Sequence, residues 1–158
     1  MKKLLGIWAA VLVLGAVPAS AADIKMIANL TGGEETPAAV VSGAVGTAAV
    51  TVDPVTLGIT VELTVFNLPT GSTAGHIHAG ARGAAGPVIV DFTFPAGRTG
   101  DFAMVLRLGA VDLRPRPEIG IATMEDAIQA IVNGNAYVNI HTSAFPAGEI
   151  RGQLIRVN

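Results

Sequence analysis

Apolar and polar positions alternate strictly from Gly58 to Phe66, with Ile59, Val61, Leu63 and Val65 on one side and Thr60, Glu62 and Thr64 on the other. A strand sends successive side chains to opposite faces, so this pattern predicts a strand with one buried face. The same period recurs in Asp23–Leu30, Val45–Val52, Val88–Phe94 and Asp101–Leu108, and two further strand candidates, Ala136–Thr142 and Glu149–Val157, end the chain. Turn-forming clusters separate them: Asp53-Pro54, Leu68-Pro69-Thr70-Gly71, Pro95-Ala96-Gly97 and Phe145-Pro146-Ala147-Gly148. Short strands at this spacing predict an all-β fold, an antiparallel, Greek-key-like β-sandwich with one short helix. The helix falls within Thr123 to Asn133, where Met124, Ala127, Ile128, Ile131 and Val132 form a stripe at helical spacing. Thr123 is placed to cap it, Asp126 occupies the capping-box position, and Gly134 ends it.

The first segment follows a different logic. Lys2 and Lys3 precede an apolar run from Leu4 to Val17, and Pro18-Ala19-Ser20-Ala21 has the small residues a signal peptidase needs before Ala22. About 14 apolar residues fall short of the roughly 20 that span a bilayer, so the run reads as a leader rather than a membrane anchor. Residues 1–21 are therefore expected to be a signal peptide and 22–158 a single domain, secreted or periplasmic, with no stable membrane anchor. Removing the leader takes away two lysines and the only Trp, leaving 8 basic against 12 acidic residues.

Composition then excludes several classes. With 51% apolar and 14% charged residues the chain is not disordered, and ten Lys and Arg against twelve acids supply no basic surface for nucleic acid. The absence of cysteine removes disulfides, thiolate metal sites, cysteine nucleophiles and a lipid-anchor cysteine. Ser20, Ser42, Ser72 and Ser143 have no nucleophile-elbow context, and Gly80–Gly86 lacks the Lys and Ser or Thr of a phosphate loop. That Gly-rich stretch is expected to be a flexible connection beside the histidine strand, with Arg82 guarding the site.

What remains is histidine. His76 and His78 lie two apart in an extended stretch and share a face, while Ile77 turns to the core. In Tyr137–His141 the core face is Val138 and Ile140, which puts Tyr137, Asn139 and His141 on the opposite side. If the two strands are neighbours, His76, His78 and His141 form a transition-metal site for copper or zinc, with Glu35 and Glu149 as candidate oxygen ligands. Metal affinity would then fall as pH drops through about 6.5, the ordinary imidazole value. By the alternative reading the histidines only hydrogen-bond neighbouring loops. Independently of that choice, Glu149 and Arg151 read as an exposed charged pair that Gln153 continues, the polar stripe of a half-solvated strand opposite Ile150 and Leu154.

Leu30–Pro37, Ala74–His78, and Tyr137–Thr142 followed by Phe145–Leu154 together resemble the CHRD (chordin-type) domain, a likeness that extends from about Ile24 to Val157. The resemblance implies an extracytoplasmic β-sandwich without an established enzymatic activity. A fainter similarity is to copper-zinc superoxide dismutases, which also carry His-x-His on a small sandwich. Three histidines cannot build both metal sites of that family, and its disulfide has no counterpart. Three function classes follow: a binding module for a metal ion, with a protein partner outside the cytoplasm; a copper-dependent redox enzyme; or a structural and adhesive domain.

Overall fold

The computed structural model describes residues 22–157; the leader assigned to 1–21 lies outside them. Nine strands run in chain order as β1 (Ile24–Thr31), β2 (Val45–Asp53), β3 (Gly58–Leu68), β4 (Ser72–Ala79), β5 (Val88–Asp91), β6 (Gly100–Leu108), β7 (Ala136–Thr142), β8 (Ile150–Gln153) and β9 (Ile155–Arg156). One helix, α1 (Met124–Val132), precedes β7. All strand pairs are antiparallel, in the spatial order β5-β4-β7-β8-β1-β2-β3-β6 with β9 added to β1. The fold is all-β, as the alternation predicts.

The register explains the core. Met26, Ala28 and Leu30 of β1, Ala48, Val50 and Val52 of β2, and Ile59, Val61, Leu63 and Val65 of β3 face inward and are buried. They form one apolar cluster with Ile77 of β4, Val138 and Ile140 of β7 and Ile150 of β8, so the sheet curls around its own apolar face. Strands β8 and β1 share a single paired position, Thr31 with Arg151. There Gly152 lets the chains approach: a Cβ on it would sit 2.3 Å from the Asn29 carbonyl oxygen. The β2–β3 turn is held by Asp53, which accepts from the Val55 and Thr56 amides.

Two predicted strands end differently. The run from Val88 leaves the sheet at Asp91, because Phe94 N–H bonds Phe92 O and Pro95 follows. The last run is divided at Leu154, whose amide bonds Ala136 O of β7, while Ile155 and Arg156 pair with β1. The chain thus changes neighbours at Leu154. Helix α1 starts at a reciprocal capping box between Thr123 and Asp126 and ends beside Gly134 at φ 74°. Met124, Ala127, Ile128 and Ile131 make its buried face, which packs on β4 and β7.

The largest departure concerns the outer face of β4, β7 and β8. Every residue of β7 and β8 is buried, on both faces. Segments 32–44, 80–87 and 143–149 lie over the polar side; backbone carbonyls of the last two and the Thr36 and Ser42 hydroxyls of the first bond the side chains that project from it. The expectation of an exposed stripe is thereby corrected: Glu149 is wholly buried, and Arg151 and Gln153 nearly so.

Candidate metal centre

Strands β4 and β7 are neighbours, and their register sets the polar face in rows. His76 lies opposite Asn139, His78 opposite Tyr137, and His141 opposite Ala74. Asp91 of β5 continues the first row beyond His76, and Arg151 of β8 continues it beyond Asn139. Because alternate residues share a face, this pairing brings His76, His78 and His141 together. One nitrogen from each lies within 4.8 Å of the others. The ring centroids of His76 and His141 are 4.8 Å apart, and that of His78 is 5.4 Å from the first and 5.7 Å from the second.

The proton positions follow from the partners. His78 Nδ1 lies 2.9 Å from Gly86 O, and His141 Nδ1 lies 3.0 Å from Pro146 O. A carbonyl oxygen only accepts, so both Nδ1 atoms carry the proton and both Nε2 atoms present a lone pair. His78 Nε2 is buried and has no hydrogen-bond partner among the described residues. His76 Nδ1 lies 3.0 Å from His141 Nε2, to which it donates when no ion is bound. Its Nε2 faces Asp91 Oδ1 at 3.6 Å, a charge that stabilises the alternative tautomer with the proton on Nε2. Moving that single proton frees Nδ1 and leaves three lone pairs converging. Each other nitrogen then faces an oxygen, the arrangement that orients metal-binding imidazoles.

Burial sets the electrostatics. It pushes the His76 and His78 imidazoles down to about 4, against the raising effects of Asp91 and of the Gly86 carbonyl respectively, and it lowers His141 as well. The rings are therefore neutral, the form that binds metal. Proton competition is moved from about 6.5, the value expected from the sequence, toward about 4.

Glu35 and Glu149 stand outside this group. Glu149 accepts from Ser42 Oγ at 2.6 Å and from Thr142 Oγ1 at 2.5 Å, so its two oxygens tie segment 32–44 to β7. Glu35 is buried, receives the Asn139 amide at 3.4 Å on Oε2, and has no partner on Oε1 among the described residues. Burial pushes its carboxyl up to about 7, although Arg151 pulls the other way. Arg82 does not stand as a guard over the histidines; Glu34 holds it, and this pair joins segments 32–44 and 80–87. The supporting residues Asp91, Gly86, Pro146 and Arg151 become recognisable only once strand register is known, because two of them act through backbone carbonyls.

These shifts oppose one another in stability. The histidine pKa values are lower in the folded chain than unfolded, so their penalty is absent above about 6.5 and grows as pH falls toward about 4. The Glu35 value is raised from 4.5 to about 7, so its penalty is absent below 4.5 and grows as pH rises through about 7. Metal-free protein should therefore gain stability from about pH 4.5 to about 7 and level off above, because the histidines together outweigh the single carboxyl, and Glu35→Gln should steepen that rise. Thermal unfolding across about pH 4 to 8 measures that slope; an unchanged slope in the variant would contradict the assignment.

Among the described residues no helix is long and apolar enough to cross a membrane. A comparison with family models matches residues 26–154 to the CHRD domain. No curated protein and no solved structure gives a match.

Proposed function

The chain belongs to the CHRD domain family, and from that premise we propose that it is an exported binding module whose ligand is a copper or zinc ion held by His76, His78 and His141. The observation that carries this reading is the buried, unpartnered Nε2 of His78. A buried polar nitrogen without a partner costs about 1–3 kcal/mol, and an ion at the convergence of the three rings would supply the partner it lacks. The donor set suits the ion: neutral imidazole is a ligand for copper and zinc, whereas calcium and magnesium take oxygen. Bound there, the metal would offer Lewis acidity or, as copper, electron transfer. The protein's own part is to keep the rings dry, to hold the protons of His78 and His141 on Nδ1, and to accept the His76 proton at the nitrogen facing Asp91.

Export follows from the leader signals of residues 1–21, with the domain beginning at Ala22. One preparation tests both parts. Protein recovered from the exported fraction should have a mass that begins at Ala22 and carry about one copper or zinc ion per chain, removable by chelation, as a three-imidazole site requires. Trace metal, together with no uptake of either ion on titration, would leave the structural reading of the histidines in its place. A retained leader would overturn the export assignment alone.

A further inference from the structure

Arg151 is the least expected group in the molecule. Its residue is 2% exposed, yet no carboxylate lies within ion-pair distance of it among the described residues. Its guanidinium donates to Thr36 Oγ1 and, at 2.8 Å, to Ala84 O, both neutral acceptors. Its Cζ stands 3.5 Å from the centroid of the Tyr137 ring. Tyr137 in turn stacks on His78, with centroids 4.9 Å apart and planes 12° from parallel. Strands β4 and β8 flank β7 on opposite sides, so the phenol ring lies between the imidazole and the guanidinium. A fixed positive charge is thus carried to the edge of the three-histidine cluster through one aromatic ring.

Nothing nearby balances that charge fully. Asp91 is already engaged by Arg114, and the three imidazoles are neutral ligands that bring no negative charge to an ion. Glu35 is the carboxyl that feels Arg151, and its burial leaves it only partly ionised near neutrality. A doubly charged ion is repelled by Arg151 twice as strongly as a singly charged one.

Resting on the proposed metal site, we infer that Arg151, acting through Tyr137, makes the centre select a singly charged ion, copper(I), over copper(II) and zinc(II). At a separation on the order of 10 Å and an effective dielectric near 20, one extra charge is discriminated by about tenfold. Arg151 is a positioning and tuning residue that touches no ion itself. The same factor applied to bound copper raises its one-electron potential by about 59 mV.

The test measures affinity ratios rather than affinities. Wild type, Arg151→Met, which removes the charge, and Arg151→Lys, which keeps it, are titrated with copper(I), copper(II) and zinc(II) against chromophoric chelators. The copper(I) to copper(II) ratio should fall about tenfold in Arg151→Met and stay within about threefold of wild type in Arg151→Lys. Because Arg151 also ties two loop segments, Asn139→Asp provides a second arm that places a carboxylate in the neighbouring strand position. It should shift the ratio in the same direction as Arg151→Met. Equal loss of all three ions in Arg151→Met with no shift in Asn139→Asp would mean that Arg151 is structural, and unmoved ratios in both variants overturn the inference. Wild-type protein that binds no ion at all removes the metal site and this inference together.

Discussion

His78→Ala should lower copper or zinc affinity by more than about a hundredfold while leaving a folded protein. The size follows from the donor count: a residue that only supports a ligand is worth about 10–100-fold, and here one of three ligands is lost. The survival of the fold follows from what His78 touches. Its ring bonds Gly86 O and stacks on Tyr137, but Gly86 keeps its two contacts with the Tyr137 hydroxyl, at 3.0 Å and 3.2 Å. The substitution also deletes the orphaned Nε2, which offsets part of the lost packing. A stability cost of about 1–2 kcal/mol is therefore expected, within the ordinary range for point variants. Calorimetric titration with zinc gives the affinity and thermal unfolding gives the cost. Equal zinc affinity in variant and wild type would end the metal reading.

Much of this arrangement was readable from the sequence because period-two alternation reports which side chains share a face. His76 and His78 could be placed together, with Ile77 in the core, and His141 could be put on the matching side of its own strand beside Val138 and Ile140. Strand neighbourhood was the missing term, and alternation is silent on it. The pairing of β4 with β7 skips over β5, β6 and α1 in the chain, so no local signal announces it. The helix was legible for the opposite reason: Thr123, Asp126 and Gly134 act on backbone within one turn of themselves.

The polar stripe departs from its sequence pattern for a physical reason. Glu149, Arg151 and Gln153 alternate with apolar residues as on a half-solvated strand, and the charges of such a stripe usually meet water. Here they meet protein groups: Ser42 of a loop and Thr142 at the end of β7 for Glu149, and loop groups Thr36 and Ala84 for Arg151 and Gly80 for Gln153. A loop that offers carbonyls in place of water has no compositional mark beyond small residues, and Gly80–Gly86 reads equally well as flexible linker. The same burial explains why the histidines lose their solution pKa.

Gly86→Ala should be among the most damaging single changes in the domain although it alters no ligand. A Cβ at Gly86 would stand 1.6 Å from the Ala79 carbonyl oxygen and 2.8 Å from its carbon, and backbone atoms cannot step aside as a flexible side chain would. The 80–87 segment must move away from the end of β4, straining the Ala79 amide bond to Pro87 O and withdrawing the carbonyl that holds His78 Nδ1. Tyr137 loses its anchor by the same movement. Overpacking of this kind costs about 3 kcal/mol, and a drop in melting temperature on the order of 10 °C follows for a domain of this size. Metal affinity should fall about 10–100-fold in the same variant, because the orientation of one ligand is lost while all three remain. Gly43→Ala is the control: nothing lies within 4 Å of a Cβ there, and that variant should melt and bind like wild type. Differential scanning calorimetry and zinc titration on the two variants read both quantities. A Gly86→Ala protein indistinguishable from Gly43→Ala would show that the 80–87 segment does not clamp the histidine strand.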